Sequence, residues 1–156
     1  MSVFARLSKA ALVACVLPGG VLAAPEQPQR VVSINLCTDQ LMMLVADPDQ
    51  IASVSFLATE PQSSAMVEQA RAYPANYGRA EEVFLMDPDL VLAGMFTTPA
   101  TVGMLRGLGF RVEQIDAIRT VDGVADGLRR IGALLGQAAR AETLASAYEA
   151  DLAALR

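Results

Sequence analysis

The chain has 156 residues, which is the size of one domain around a single hydrophobic core. It carries 17 acidic and 12 basic residues, a net charge of −5, so it lacks the basic surface that binding of nucleic acid requires. It contains no histidine, the usual general base and a usual ligand of zinc and haem iron. These features argue against nucleic-acid binding and against histidine-based catalysis.

The first 23 residues have the pattern of a secretory signal peptide. Positive residues precede an apolar stretch over residues 10–22, and a small-x-Ala cleavage site ends at Ala23. We therefore predict export to the periplasm, with residues 24–29 forming a short polar tether. Lipid attachment at Cys15 is the less favoured alternative, because the apolar run before it is short and no polar tether follows it.

Residues 30–57 have the pattern of a strand, a helix and a second strand. A β-branched run that begins at Val31 predicts a buried strand, and the oxygens of Thr38-Asp39 are suited to capping a helix. The helix is predicted to end before Pro48, and the second strand to cover residues 51–56. A unit of this length predicts parallel strands joined by a right-handed crossover.

The loop Asn35-Leu36-Cys37 lies at the carboxyl end of the first predicted strand, where open α/β sheets bind ligands. Cys37 is the only cysteine that follows the predicted cleavage site. Because no histidine is present to activate it, we expect a small, partly buried residue or one half of a disulfide bridge to a cysteine elsewhere.

Later elements continue the alternation of helices and strands and then become entirely helical. They are a helix over residues 63–72, a loop over 73–78, a helix over 80–86, a strand over 90–93, a helix up to 108, a strand over 111–115, and two helices separated by Gly136. Met42, Met43, Met86 and Met104 stand at apolar positions and are expected in the core. The pattern predicts an α/β fold, with a parallel sheet flanked by helices and a long C-terminal helix.

The sequence resembles the N-terminal lobe of the periplasmic substrate-binding proteins that serve ABC importers of iron-siderophores, haem and cobalamin. The matching segments are RVVSINLCTDQL (30–41), GRAEEVFLMDPDLVLA (78–93), LRGLGFRVEQID (105–116) and the helical run over residues 131–155. The resemblance implies an α/β lobe over residues 30–136, followed over residues 137–156 by the start of the helix that connects two lobes. The second lobe is absent from this sequence.

The resemblance also implies a function: non-catalytic capture of a metal complex or corrinoid, and its delivery to an inner-membrane permease. The ligand itself would be the metal chelate or corrinoid, with no further cofactor and no metal site of the protein's own. The implied ligand-binding residues are Asn35, Leu36, Cys37, Thr38, Phe56, Tyr77 and Phe96. Glu81 matches the glutamate that docks on arginines of the permease, and Gly94 stands where cobalamin-binding relatives carry an aromatic residue, a place that Phe96 is expected to take.

Two alternatives remain open from the residues. The apolar stripe on Leu144, Tyr148, Leu152 and Leu155 lacks an evident partner, which is typical of a truncated or split lobe that binds no ligand by itself or that pairs with a separately encoded second lobe. An α/β enzyme is less favoured, because the sequence has no glycine-rich nucleotide-binding motif, no G-x-S-x-G and no visible pair of nucleophile and base.

Overall fold

The computed structural model describes residues 27–156. The predicted signal peptide, its cleavage site at Ala23, the alternative lipidation site at Cys15 and the first part of the tether lie outside the described residues. Within the described part, no helix is long and apolar enough to cross a membrane. The elements are β1 (Val31–Ser33), α1 (Leu36–Val45), β2 (Ile51–Ser55), α2 (Val67–Ala70), β3 (Ala75–Asn76), α3 (Ala80–Met86), β4 (Leu90–Gly94), α4 (Pro99–Gly107), β5 (Val112–Ile115), α5 (Gly123–Leu135) and α6 (Ala138–Ala154).

The strands form a sheet in the order β3-β2-β1-β4-β5, and every pair is parallel. The chain adds β2 and β3 on one side of β1 and then returns to add β4 and β5 on the other side. The turns after β1 and β4 therefore diverge at a topological switch point, where α/β sheets form their ligand clefts. The predicted parallel sheet, its flanking helices and the long C-terminal helix are confirmed.

Successive residues of β1 serve two different cores, one on each face of the sheet. Val31 packs with Met42 of α1 and Ile131 of α5, whereas Val32 packs with Val83 of α3 and Leu105 of α4. All six side chains are fully buried. A strand covered on both faces requires a continuous apolar run, which explains the uninterrupted β-branched pattern.

The start of α1 differs from the prediction, because Asn35 rather than Thr38 or Asp39 caps it. The Asn35 side chain accepts a hydrogen bond from the Cys37 backbone N–H at 3.0 Å. Thr38 and Asp39 lie inside the first turn and are buried: the Thr38 hydroxyl bonds to Ser33 and to the Asn35 carbonyl oxygen, and Asp39 accepts from the Ser55 N–H. The prediction was wrong by one turn because Asn, Thr and Asp are all suitable caps.

The region between β2 and α3 also differs from the prediction. The expected helix over residues 63–72 is reduced to α2, and the expected loop over residues 73–78 contains the short strand β3. Asn76 explains the second difference. Its buried amide nitrogen lies 2.9 Å from the carbonyl oxygens of Ser33 and Val54, so a side chain that usually favours turns fastens this edge strand to the sheet.

Helices α5 and α6 pack closely against each other after a turn at Gly136, which has the left-handed φ of +70°. A side-chain carbon at Gly132 would lie 2.2 Å from the Ala141 methyl, so the two helices approach almost backbone to backbone. Leu144 and Tyr148 pack against the core of this same lobe. The expectation that their stripe lacks a partner was therefore wrong for these two residues, and the role of α6 as a connection between lobes stays a prediction.

Candidate functional site

A cleft of about 600 Å³ opens at the carboxyl edge of the sheet, beside the switch point. The turns after β1, β3 and β4 and the first turns of α3 and α4 surround it. Its wall combines aromatic, hydroxyl and charged side chains with apolar ones. Among them are Tyr77, Phe96, Thr97, Thr98, Thr101, Arg79, Glu81 and Met104.

Two of the three aromatic residues expected at the ligand line this cleft, and the third supports one of them. Tyr77 is 65% exposed and Phe96 is 78% exposed, and both border the open volume. Phe56 is half-buried and stacks on the Tyr77 ring. Phe56 therefore supports the Tyr77 ring by stacking on it.

The turn from Asn76 to Glu82 holds Tyr77 in place from both sides. Gly78 adopts a φ of +70°, a left-handed conformation that favours glycine, and its N–H donates to the Asn76 side chain at 3.0 Å. The Tyr77 N–H donates to a carboxylate oxygen of Glu82 at 2.8 Å. Because Asn76 is itself fastened to β1 and β2, the position of Tyr77 is set by the sheet.

The four consecutive residues expected at the ligand after β1 have different environments. Asn35 lines the cleft, while Leu36 packs toward the core. Cys37 is exposed beside a smaller neighbouring pocket with Met95 and Asp116, so the expectation that it is partly buried was wrong. Thr38 is buried, and its hydroxyl bonds to the Asn35 carbonyl oxygen at 2.9 Å and to the Ser33 hydroxyl at 2.8 Å. Thr38 therefore positions the turn and offers no surface to a ligand in the cleft.

The turns at the two sides of the switch point touch at Asn35 and Gly94. A side-chain carbon at Gly94 would lie 2.4 Å from Cγ of Asn35, well inside van der Waals contact. An aromatic residue at this position is incompatible with this arrangement of Asn35. The exposed Phe96, two residues further along the chain, supplies an aromatic ring to the cleft instead.

A buried carboxylate supports the aromatic pair from below. Asp39 accepts hydrogen bonds from the Ser55 N–H, at 3.1 Å, and from the Ser55 hydroxyl, and Ser55 directly precedes Phe56. Burial raises the pKa of Asp39 to about 6, although its hydrogen bonds act in the opposite direction. Asp39 has no access to the cleft, so its part is to fix the turn that carries Phe56.

Sequence reasoning missed Arg79, the three threonines and Met104. Arg79 and Glu81 are exposed in the cleft wall and form no ion pair with any of residues 27–156. Met104 is 53% exposed at the cleft, although its apolar helical position predicted a core residue. Arg79 could have been found from its place after the Tyr77-Gly78 loop. The side of α4 that faces the cleft depends on tertiary packing.

Comparison with known proteins finds similar proteins that are named for binding cobalamin or haem. No protein-family model matches the chain. A curated "Cobalamin-binding protein" of Halobacterium salinarum is 33% identical over 130 residues, which cover 83% of this chain and 35% of that protein. A periplasmic haem-binding protein from Pseudomonas aeruginosa matches with a TM-score of 0.64 and 26% identity, over 78% of this chain and 43% of that one.

The periplasmic vitamin B12 binding protein BtuF of Vibrio cholerae has the same fold, with a TM-score of 0.66, 21% identity, and coverage of 82% of this chain and 49% of its own. The chain thus has an α/β fold that occurs in part of these periplasmic binding proteins. Over most of its length it is similar to proteins that are named for binding cobalamin and haem. It spans about a third of the length of the curated relatives that it matches.

Proposed function

We propose that the chain is the non-catalytic solute-binding part of an ABC importer, exported to the periplasm, and that its cleft holds an iron complex or a corrinoid. The observation that carries this proposal is the exposed ring of Tyr77, stacked on Phe56 at the edge of an open cleft. A flat aromatic wall buries a macrocycle or an aromatic chelate at little cost in side-chain entropy.

The polar groups of the cleft suit the same class of ligand. Arg79, which forms no ion pair with the described residues 27–156, offers a cation for a propionate, phosphate or carboxylate on the ligand's edge. The Tyr77 oxygen is of the type that ligates ferric iron in some haem proteins. The relatives named for cobalamin and for haem support both ligand classes equally.

We further propose that Glu81 contacts the importer's permease. Its carboxylate is exposed at the rim of the cleft, in the first turn of α3. An exposed carboxylate that receives a bidentate guanidinium fixes the orientation of a complex and speeds its formation more than it adds affinity. The start of a helix also favours acidic residues for their interaction with the helix dipole, so only a docking measurement assigns this role.

A ligand titration tests the proposal. The purified exported protein is titrated with cobalamin, haem and a ferric siderophore, alongside Tyr77→Ala and Val121→Ala, the latter a control at an exposed residue outside the cleft. We expect one ligand to bind, with affinity at least tenfold weaker in Tyr77→Ala, about 1.4 kcal/mol, and unchanged in Val121→Ala. A folded wild-type protein that binds none of the three would contradict the proposal and favour the alternative of a lobe that needs a second lobe to bind.

A further inference from the structure

Helices α3 and α4, with Leu108 directly after α4, present an exposed apolar surface beside the cleft. Phe84, Leu85, Met104 and Leu108 are 52%, 83%, 53% and 49% exposed and surround a groove of about 280 Å³. We refer to these four residues as the α3–α4 patch. Outward-facing positions of a surface helix are normally polar, and a contiguous apolar surface on a folded protein marks an interaction site.

The packing of both helices fixes this patch on the outside. Val83 of α3 and Leu105 of α4 are fully buried against the sheet, so the neighbouring residues on the opposite side of each helix are directed outward. The Phe84 ring meets the Phe110 ring edge to face, with centroids 6.1 Å apart and planes at 79°. The exposure therefore follows from the same packing that builds the core, and rotating a helix to hide the patch would expose Val83 or Leu105.

One charged residue, Glu81, belongs to both the groove and the cleft. An apolar partner that covers the patch removes water from this carboxylate, which is costly unless the partner supplies a cation. Arginine is the suitable cation, because it is weakly hydrated and binds a carboxylate with two hydrogen bonds. Glu81 therefore favours a partner whose apolar surface carries an arginine at one edge.

The same charge disfavours two other occupants. A membrane surface of anionic lipids would repel Glu81 and a chain with a net charge of −5. A symmetric dimer through the patch would use the same surface twice and bring two Glu81 carboxylates toward one another. A different protein with an apolar face that carries an arginine avoids both kinds of charge repulsion.

We propose that the α3–α4 patch is the apolar half of the face that docks on the permease, with Leu85 inserted in an apolar depression next to the arginine that binds Glu81. This inference rests on the proposed function, that the chain serves an importer. It assigns most of the docking affinity to buried apolar area and the orientation to Glu81. Because Glu81 also borders the cleft, the permease then lies at the cleft's mouth.

The test measures binding of the full exported protein to the ABC permease from the same genome, purified in lipid nanodiscs. Leu85→Ser is compared with Leu155→Ser, since Leu155 is 85% exposed but lies at the end of α6, outside the patch. We expect binding at least tenfold weaker for Leu85→Ser and unchanged for Leu155→Ser. Glu81→Gln should weaken binding and flatten its dependence on salt concentration. Ligand affinity, titrated in parallel, should be the same in wild type and Leu85→Ser.

Equal binding by wild type, Leu85→Ser and Leu155→Ser would overturn the inference and leave the role in import standing. A wild-type protein that binds ligand but not the permease would also overturn it and leave ligand capture intact. Binding to vesicles of anionic phospholipid, or a dimer that Leu85→Ser dissociates, would show that the partner is a membrane or a second copy. If the protein binds the permease in a way that depends on Leu85 but binds no ligand, the docking role of the α3–α4 patch is supported and the proposal of ligand binding is contradicted.

Discussion

The rings of Phe56 and Tyr77 stack with their centroids 5.1 Å apart and their planes 26° apart. Phe56 follows β2 and Tyr77 follows β3, and these two strands are neighbours in the sheet. The aromatic pair therefore covers the carboxyl ends of adjacent strands, and the exposed side of Tyr77 faces the cleft. The ring and the hydroxyl of Tyr77 can therefore contribute to ligand binding in different ways, and substitutions can test them separately.

Replacing Tyr77 with phenylalanine keeps the stacked ring and removes the oxygen. For a corrinoid or an aromatic siderophore held by stacking, we expect affinity within about threefold of wild type. For haem held through a tyrosinate, we expect a large loss of affinity and a shifted haem absorption spectrum. Titration of Tyr77→Phe and Tyr77→Ala with the same ligand measures both affinities, and the absorption spectrum is recorded for haem. If both variants lose affinity equally while the ligand's spectrum stays unchanged, neither ring stacking alone nor iron ligation explains the role of Tyr77.

Adding a methyl group at Gly94 should destabilise the protein. The new carbon lies within 2.4 Å of Asn35, which must rotate and release its hydrogen bond to the Cys37 N–H. We expect Gly94→Ala to lower the free energy of unfolding by about 1 kcal/mol, the usual cost of losing a helix cap. Urea denaturation measures the change.

The matched control is Gly103→Ala, in the interior of α4, where a side-chain carbon has no atom within 4 Å. Alanine there should stabilise the protein by about 0.5–1 kcal/mol, because it restricts the unfolded chain and favours the helix. Opposite signs for the two substitutions are the expected result. Equal effects would show that contact with Asn35 does not limit residue 94.

Neutralising Asp39 should change how stability depends on pH. The pKa of this carboxyl is raised to about 6 in the folded protein, against about 3.9 in an unfolded chain. Between these values the folded state holds a proton that the unfolded state has lost, so stability falls as pH rises through this window. The contribution is on the order of 2–3 kcal/mol.

The measurement compares Asp39→Asn with wild type by urea denaturation between about pH 4 and about pH 7. The effects of other titrating groups cancel when the free energy of unfolding of the variant is subtracted from that of wild type. Wild type should therefore lose stability relative to the variant as the pH rises. A difference that stays constant across this range would show that Asp39 titrates at its ordinary value and that its burial is relieved by water.

Arg129 links α5 to α6 through two carboxylates. Its Nε and one terminal nitrogen bond to Glu142 at 2.8 and 2.9 Å, and its other terminal nitrogen lies 2.7 Å from Glu149. The bonds to Arg129 lower the pKa of Glu142 to about 2, so the stability from this pair is present above about pH 4.5 and lost as the pH falls toward 2.

Replacing Arg129 with glutamine should cause a small decrease of the denaturation midpoint at low salt, because both carboxylates are exposed and Arg129 is partly exposed. The decrease should shrink in about 1 M sodium chloride, where surface charges are screened. Arg130→Gln is the control, since Arg130 is an exposed neighbour with no ion pair in the described part of the chain. Equal midpoints for the two variants at low salt would contradict the prediction.

The sequence by itself determined the architecture of this protein. Strands covered on both faces need continuous apolar runs, and helices on a sheet need stripes of period 3.6, so the alternation of the two could be read before any contact was known. The helix over residues 80–86 and the glycines that end α4 and α5 were predicted where the structure has them. These features depend on local chemistry and on spacing along the chain.

Only the tertiary structure decided which side chains meet at the cleft. Strand β3 was missed because Asn76 pairs with distant strands through its side chain, which no local pattern shows. Thr38 and Arg79 are both polar residues next to predicted elements, yet Thr38 is buried and Arg79 lines the cleft. The direction of a side chain depends on how helices pack on the two faces of the sheet, and that packing joins residues far apart in sequence.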